Sequence, residues 1–376
     1  MQKKLIALAV AAVVSAPAFA DVTPYGIVDG AIANVSGDGQ KSQLLALSGG
    51  GSTSRLGVKV TEDLGDGLTA VGVLEYGLDT ETNQAGTAVT ATSATSNVAS
   101  GTANPSTASN LAARQQMLAL TGSFGTVATG YLQTTGYDFE GKFDPLAGSS
   151  ASPLQSMNKG LLIGTVAGAA RAQRALAYIS PDVIPGLNFA VNYSTALSGT
   201  GNLASASANA DANVTAALAS VNYATGPLAV SVVYAGKNNP TTANVNEVAV
   251  GGSFDFGVAK LLATYQKNTD ALGAVASAAS VSGVVPVGGD AVAVSYARNA
   301  TDTANAGGSG YTVGYLHTLS KTTTVYAAYE SVTNDSATNG FSVDNNLLSA
   351  KANGVASSLT NGGSSTLIGF GLRKKF

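Results

Sequence analysis

The sequence lacks cysteine and tryptophan altogether and has one histidine in 376 residues. Without cysteine the chain cannot form a disulfide scaffold, a thiolate zinc site or a cysteine nucleophile. Charged residues make up only 11% of the chain, less than half of the roughly 25% that is usual in soluble globular domains. The formal net charge is -3, so the chain offers no basic footprint for nucleic acid, and we expect no partner of that class.

Long hydrophobic runs are also missing after the first twenty residues, where none approaches the ~20 residues of a membrane-spanning helix. Residues 1–20 read MQKKLIALAVAAVVSAPAFA. A basic start at Lys3 and Lys4, a short apolar core and a small-x-small ending at residues 18–20 are typical of a secretory signal peptide. We therefore expect export through a leader cleaved before Asp21.

The pattern that dominates the rest of the chain is alternation with a period of two. In residues 186–195, GLNFAVNYST, large apolar side chains occupy every second position, and small or polar ones lie between them. Residues 55–61 and 367–376 follow the same pattern, while helical periodicity of any length is absent. This alternation predicts an all-β chain whose strands have one apolar face and one face of small or polar residues.

The connections between these predicted strands are of two kinds. Some are tight, as at residues 62–67 and 122–125, whereas residues 77–110 and 333–364 form long connections with few large apolar residues. Transmembrane barrels have short turns on the periplasmic side and long loops outside. Since every backbone amide must be paired within hydrocarbon, a chain without spanning helices can cross only as a closed sheet. A secreted β-rich adhesin or structural protein, with its apolar parity turned toward a core, is the alternative.

The alternation divides the chain into sixteen predicted strands, of which the twelfth is the least regular. About sixteen strands enclose an aqueous channel rather than a packed core. The sequence therefore predicts one all-β domain over residues 21–376, a sixteen-stranded antiparallel transmembrane β-barrel. The predicted strands are residues 22–35, 52–62, 68–77, 112–121, 126–133, 171–180, 187–196, 214–223, 228–236, 246–255, 258–268, 273–285, 290–299, 310–319, 323–332 and 366–376.

Several segments resemble the general porins of Gram-negative outer membranes, especially those of β-proteobacteria. Each segment alone is a modest match, but their order and spacing together are specific. The resemblance spans nearly the whole chain after the leader and is weakest in the middle third. The matching segments are VTPYGIVDG (22–30), SRLGVKVTEDLGDGLTA (54–70), RQQMLALTGSFGTVATGY (114–131), FDPLAG (143–148), RAQRALAYISPDVIPGLNFAVNY (171–193) and YTVGYLHTLSKTTTVYAAYE (311–330).

The resemblance implies an outer-membrane homotrimer of such barrels. Each barrel would be a general diffusion pore for small hydrophilic solutes and ions, with weak charge selectivity. A long third loop, here about residues 134–170, would fold into the lumen and narrow it. The terminal Phe376 resembles the family's recognition signal for the outer-membrane assembly machinery, and outer-membrane lipid and lipopolysaccharide are the other expected partners. A substrate-selective porin is the alternative within transport.

The resemblance also implies which side chains line the pore. Parity supports two of the basic ones, because Leu56, Val58 and Val60 occupy the opposite face of their strand and charge on a lipid-facing side costs ~2–4 kcal/mol near mid-bilayer. Tyr131 stands where many members of the family carry arginine. The expected basic wall is Arg55, Lys59, Arg114 and Arg171; the expected acidic loop residues are Asp138, Glu140 and Asp144; further lumen candidates are Asp29, Glu75 and Tyr131.

Two residues raise separate questions. Arg174 has the opposite parity to Arg171, which predicts either a bulge between them or one side chain directed away from the pore. His317 could serve as a catalytic base only with a nucleophilic serine and an orienting partner within reach. Its position close to the tight turn at Ser320 offers no such constellation, so we expect no enzymatic activity, no cofactor and no metal.

Overall fold

A computed structural model describes residues 20–80, 113–158, 161, 163, 170–196, 215–238, 244–270, 272–343 and 359–376. The predicted signal peptide, residues 1–20, lies outside these ranges except for its last residue. Parts of both predicted long connections and of the predicted third loop also lie outside them. Within the described ranges, no helix combines the length and the apolar character needed to cross a membrane.

The described ranges form seventeen strand segments and two short helices. Both helices, α1 (Thr135–Phe143) and α2 (Pro153–Met157), lie in the connection between β6 and β7. The strand segments are β1 (Asp21–Gly37), β2 (Gln43–Ser48), β3 (Arg55–Gly65), β4 (Leu68–Gly77), β5 (Ala113–Gly122), β6 (Gly125–Gln133), β7 (Arg171–Ile179), β8 (Leu187–Ala196), β9 (Thr215–Thr225), β10 (Leu228–Asn238), β11 (Val245–Asp255), β12 (Lys260–Thr269), β13 (Val275–Val287), β14 (Asp290–Thr301), β15 (Gly308–Ser320), β16 (Thr323–Asn334) and β17 (Ser364–Lys375).

The segments form one closed antiparallel sheet of sixteen strands, because β1 pairs with β17. The second barrel strand is divided: β2 pairs with residues 30–35 of β1, and β3 pairs with residues 21–27. Residues 49–54 interrupt it. The predicted number of strands is confirmed. The predicted second strand at 52–62 covers only the β3 part of the observed strand, because the β2 part was missed. The irregular twelfth strand is confirmed as β13.

Alternate residues of each strand lie in opposite environments. On β8, Phe189, Val191 and Tyr193 are exposed, whereas Asn192 between them is buried. We call the side with the exposed large side chains the apolar face and the side with small and polar side chains the polar face. Because the apolar parity is exposed rather than packed in a core, the fold does not match the adhesin alternative.

Hydrogen bonds fasten the connection that carries α1 and α2 to the polar face. At the start of α1, the backbone N–H of Thr135 donates to Asn192 Oδ1 at 2.8 Å. On α2, Ser156 Oγ donates to Glu330 Oε1 at 2.8 Å, and Asn299 Nδ2 donates to the carbonyl of Met157 at 2.7 Å. The partners range from β8 to β16, so this connection follows much of the polar face.

Apolar contacts reinforce those hydrogen bonds. Phe139 and Phe143 of α1 are buried against each other, with ring centroids 5.2 Å apart, and belong to one cluster with small wall residues of β5 to β11. Gly251 of β11 gives the two rings room, because a Cβ there would lie 2.6 Å from Phe143 Cδ2 and 2.8 Å from Phe139 Cε2. On α2, Leu154 and Met157 are buried in a second cluster with β1 and β13 to β17.

Candidate functional site: an arginine cluster on the polar face

Charge on the polar face is concentrated in what we call the arginine cluster: Arg55, Arg114, Arg171 and Glu75. Arg114 Nε donates to Glu75 Oε1 at 2.7 Å, and Arg55 Nε lies 3.7 Å from Glu75 Oε2. Glu75 is only 6% exposed, and its carboxylate interacts with these two guanidinium groups and with the side chain of Tyr25. Three guanidinium groups against one carboxylate leave an excess of two positive charges.

Tyr137 of α1 joins the connection to this cluster. Its hydroxyl lies 3.4 Å from Arg114 Nη2, which donates to it, and the guanidinium carbon of Arg171 lies 4.8 Å from the centre of its ring. A guanidinium at that distance from an aromatic ring is attracted by the ring quadrupole. No motif or period in the sequence singles out Tyr137, because its role depends on where α1 packs.

A β-bulge directs Arg114 to the cluster. Glu75 pairs with Gln115, but the next residue, Tyr76, pairs with Ala113, so Arg114 is an extra residue in β5. Strict alternation would place Arg114 with the exposed Leu118 on the apolar face. A bulge breaks that alternation and can redirect a side chain, which is why bulges are frequent beside functional sites.

A second irregularity answers the question of Arg174. Arg174 has a φ of 48°, and the register of β6 and β7 shifts between Gly130 and Leu132. The bulge that the opposite parities of Arg171 and Arg174 predicted is therefore present. Arg174 is exposed, whereas Arg171 is half-buried and lies over the ring of Tyr137.

Two of the other predicted charges lie at exposed positions. Lys59 on β3 is exposed and shares its strand parity with Arg55. Asp138 on α1 is exposed as well, although the surrounding protein excludes part of its water and so raises the pKa of its carboxyl to about 6. Lys142 lies on the same helix, and its pKa is lowered mainly by burial and to a lesser extent by repulsion from Lys260.

Glu140 and Asp144, the other two acidic residues expected in the loop, are both buried. Each is only 3% exposed. Asp144 Oδ2 accepts a hydrogen bond from Ser152 Oγ at 2.6 Å, and Glu140 Oε1 accepts one from Asn158 Nδ2 at 3.3 Å. Both carboxyls therefore hold α2 to the end of α1.

Comparison with known sequences identifies the family to which this chain belongs. A profile of the Gram-negative porins matches residues 7–337. The chain belongs to the Gram-negative porin family. It is 28% identical over 388 aligned positions to outer membrane porin protein 32 of Delftia acidovorans, covering all of both chains.

Solved structures agree with this assignment to the porins. An anion-selective porin from Comamonas acidovorans has a TM-score of 0.73 at 27% identity, covering 95% of this chain and 100% of the other. A trimer form of OmpT from Vibrio cholerae shares the fold at 16% identity, with a TM-score of 0.59 and coverage of 95% and 99%. The protein is an outer-membrane porin channel and not an enzyme.

Asp29 and Tyr131, two further lumen candidates of this porin, lie in different surroundings. Asp29 is fully buried; its Oδ1 accepts from the Tyr326 hydroxyl at 2.5 Å and from the backbone N–H of Gly51 at 3.1 Å. Asp29 therefore fastens the interruption at residues 49–54 to β1. Tyr131 is half-buried, lies at the register shift between Gly130 and Leu132, and is close enough to Arg171 for the two side chains to interact.

The single histidine has a structural setting in the porin. His317 Nδ1 lies 2.8 Å from Asp290 Oδ1, and the hydroxyl of Tyr315 donates to the same carboxylate at 2.5 Å. Both His317 and Tyr315 lie at exposed strand positions.

The C-terminal residue of the porin extends the pairing of the sheet. The backbone N–H of Gly26 donates to the carbonyl of Phe376 at 3.0 Å, and Phe376 N–H donates back to Gly26 at 3.2 Å. The ring of Phe376 occupies the space beside Gly26, where a Cβ would lie 2.4 Å from its Cζ. These contacts fix the position of Phe376, and its role as an assembly signal stays a prediction.

Proposed function

We propose that this porin is a passive diffusion channel for small hydrophilic solutes and ions, with a constriction that favours anions. The observation that carries the proposal is the arginine cluster, in which three guanidinium groups surround one carboxylate. In this proposal the polar face encloses the lumen, and the connection with α1 and α2 lies within it. Selectivity then follows from the width of the pore and from the charges that line it.

Contacts of the connection support a narrowed lumen. Its helices bond to polar-face residues from β8 to β16, and the N–H of Ser150 donates to the carbonyl of Gly50 at 3.0 Å. Gly50 lies in the interruption between β2 and β3, on the part of the wall that also carries Arg55. The connection thus reaches two distant parts of the closed sheet, and Tyr137 touches Arg114 between them.

The charge balance supports a preference for anions. Glu75 offsets one of the three arginines, and Lys59 adds a further exposed cation. Because Glu140 and Asp144 are buried, Asp138 is the exposed carboxylate left on the described part of the connection. A cleft lined by an excess of one sign of charge concentrates ions of the opposite sign.

The direct test is the reversal potential of single channels in a potassium chloride gradient across a planar bilayer. The proposal expects stepwise insertion of ohmic channels and a reversal potential with the sign of the chloride equilibrium potential. A potential of the potassium sign would contradict the anion preference but leave the channel intact. Saturable flux of one solute would favour the substrate-selective alternative.

Acidification should strengthen the anion preference. With a raised pKa of about 6, Asp138 carries its negative charge above that pH and loses it below. Measured at about pH 7.5 and about pH 5, the reversal potential of the unaltered porin should therefore move further toward chloride at the lower pH. Asp138→Asn should give the low-pH selectivity at both values.

A matched control for that measurement is Asp66→Asn, in the exposed turn between β3 and β4, which should keep the pH dependence. Asp66 has a φ of 51°, a conformation that asparagine also tolerates. If the Asp138→Asn channel shifts with pH as much as the unaltered one, another group carries the titration and Asp138 does not act on permeating ions.

We further infer that this porin forms a homotrimer through the apolar face of β1 to β5. Exposed tyrosines recur on that face of the other strands, as expected of an aromatic girdle at a lipid interface. On β1 to β5 the large exposed side chains are mainly aliphatic, and Gln116 Nε2 donates to the Tyr76 hydroxyl at 3.1 Å. A polar amide of this kind suits a protein contact better than hydrocarbon. The exposed tyrosines on those strands are Tyr193, Tyr234, Tyr265, Tyr296, Tyr311 and Tyr315.

Leu118→Gln should weaken the trimer. Leu118 is 68% exposed in the single chain, and covering a leucine contributes ~1.5–3 kcal/mol, so its loss should shift the trimer–monomer equilibrium about tenfold or more. Native mass spectrometry of detergent-purified protein gives the ratio. Val250→Gln, exposed on β11, is the control and should leave the trimer unchanged. Equal effects of the two substitutions would argue against β1 to β5 as the interface.

A further inference from the structure

We propose that the apolar face of β15 to β17 binds one anionic phospholipid, with an acyl chain in a groove of the wall and the phosphate beside Lys374. The groove has a volume of about 720 Å³, within the range of ~300–1,000 Å³ that is typical of ligand pockets. It lies on the apolar face, whereas the arginine cluster lies on the polar face. The inference therefore does not depend on which ions pass through the porin.

Small residues on the apolar face form the floor of this groove. Tyr315, Ala327 and Phe370 lie opposite one another on β15, β16 and β17. Because Ala327 carries only a methyl group, the rings of Tyr315 and Phe370 leave a trough between them. On the other side of β17, Gly30 of β1 lies opposite Leu372 and adds no side chain. A flexible methylene chain can fill a trough of this shape, and each close contact adds dispersion attraction.

Polar groups beside the groove are directed to a neighbouring strand. The Tyr315 hydroxyl donates to Asp290 Oδ2 at 2.5 Å, and His317 Nδ1 lies 2.8 Å from Asp290 Oδ1. The backbone N–H of Thr318 donates to the same carboxylate at 3.2 Å. Because Asp290 at the start of β14 engages the hydroxyl, the Tyr315 ring presents its carbon atoms to the groove.

Lys374 places a positive charge at one end of the groove. It follows Leu372 at the next position of the same parity on β17, and it lies opposite Thr323 of β16. Its Nζ donates to the Thr322 hydroxyl at 2.7 Å and to the Thr323 hydroxyl at 3.2 Å. A lysine ammonium has three N–H donors. The two threonines therefore orient the ammonium and leave one donor for an oxygen of a phosphate.

The other charges at this end are compatible with an anion. Lys321, exposed in the turn between β15 and β16, adds a second positive charge. Asp290 is separated from Lys374 by β15 and β16 and already accepts the bonds described above. The carbonyl of Phe376 is bonded to Gly26 of β1, on the opposite side of β17 from the two threonines. An anion beside Lys374 is thus attracted by two lysines.

The place of Lys374 along the wall fits a phospholipid. Short turns mark the periplasmic side of a transmembrane barrel, and the turn after β15 consists of residues 321 and 322. Lys374 then lies at the boundary of the hydrocarbon, and the groove leads from it into the apolar band. A phospholipid carries its phosphate and its acyl chains in this order. Ile32 and Ala46, at the far edge of the groove, border the face that we infer to be the trimer interface.

Native mass spectrometry tests the site, with the porin in mild detergent and titrated with palmitoyl-oleoyl phosphatidylglycerol or with phosphatidylcholine of the same chains. One phosphatidylglycerol per chain should bind about fivefold more tightly than phosphatidylcholine, as one lysine beside an anionic headgroup contributes. Lys374→Gln should remove this preference. The control is Lys267→Gln, at an exposed position of the same parity as Tyr265 on β12, which should keep it.

Ala327→Phe should fill the trough and weaken the binding of both lipids about tenfold, the equivalent of about two methylene contacts. The matched control is Ala263→Phe, at an exposed position of β12, which should leave both affinities unchanged. Each substitution adds an apolar ring to a face that already carries such rings, so the barrel should form in both variants.

Three results would overturn the proposal. Equal weakening by Ala263→Phe and Ala327→Phe would mean that lipid contacts the wall without a defined site. A preference for phosphatidylglycerol that persists in Lys374→Gln would leave Lys374 as an interfacial charge only. A shift of the trimer–monomer equilibrium by Ala327→Phe, with lipid affinity unaltered, would mean that a second copy of this chain covers the groove.

Discussion

Arg114→Glu should abolish the proposed anion preference of the porin and give it no preference or a preference for cations. The substitution turns the arginine cluster from an excess of two positive charges to none, because one guanidinium is lost and one carboxylate is gained. It also leaves Glu75 beside a second carboxylate, where Arg114 Nε now donates at 2.7 Å. The reversal potential in a salt gradient measures the change.

The expected size is large for one residue. A unit charge about 8 Å from an ion contributes roughly 0.5 kcal/mol even at the dielectric constant of water. A change of two charges therefore alters the free energy of an anion by about 1 kcal/mol and that of a cation by the same amount in the opposite direction. The permeability ratio should then change by about thirtyfold.

Arg114→Gln is the first control and should give about half the change in free energy. Lys321→Glu is the second: it makes the same change of two charges in the exposed turn between β15 and β16, away from the cluster. Heat-dependent gel mobility confirms that each variant forms a barrel. An Arg114→Glu channel with the original reversal potential would show that Arg114 does not act on permeating ions.

Gly251→Leu should displace α1 and lower single-channel conductance. The space beside Gly251 is filled by the rings of Phe139 and Phe143, and even a Cβ would approach them to 2.6 Å. Forcing extra carbon atoms into a packed contact costs typically 1–3 kcal/mol. Because the barrel wall is held by hydrogen bonds on both sides of β11, the connection has to move instead of the wall.

The neighbouring glycine provides the control. Gly252 lies at the opposite parity, and the nearest atom to its added Cβ would be the carbonyl oxygen of Ala229 at 3.7 Å. Gly252→Leu therefore adds the same side chain on the apolar face and should leave conductance unchanged. If both variants conduct like the original porin, the packing of α1 on β11 does not determine the width of the pore.

The barrel itself could be predicted from the sequence because its strands are marked by patterns among neighbouring residues. Alternation along one strand, as in Phe189, Val191 and Tyr193, already states which side chains share a face, and tight turns mark where a strand ends. The break in the second strand could not be predicted in this way. Its short segment β2 has only six residues, and a run of glycine and serine follows it.

Parity fails where the backbone departs from regular pairing. Arg114 belongs by its number to the parity of Leu118, and only the extra residue in β5 turns it to the polar face. Resemblance to porins selected Arg114, Arg55 and Arg171, and the structure brings these three arginines together. Their contribution to ion selectivity is a prediction that the mutants above test.

Burial was the other limit of sequence reasoning. Asp138, Glu140 and Asp144 are equally acidic in the sequence, yet one is exposed and two are buried between α1 and α2. The difference depends on how two short helices pack, which no period in the sequence records. Tyr137 was missed for the same reason, because its contacts come from the wall and from the connection together.

The interruption at residues 49–54 is a place where the number of residues in the second barrel strand can change. Inserting one residue into a regular strand reverses the facing of every side chain beyond it. Residues 49–54 stand between the ladders of β2 and β3, so a deletion or insertion there leaves Ile27 opposite Arg55 and Gly30 opposite Ser48. Evolution could thus reshape this part of the wall, beside the arginine cluster, without sliding the cluster out of alignment.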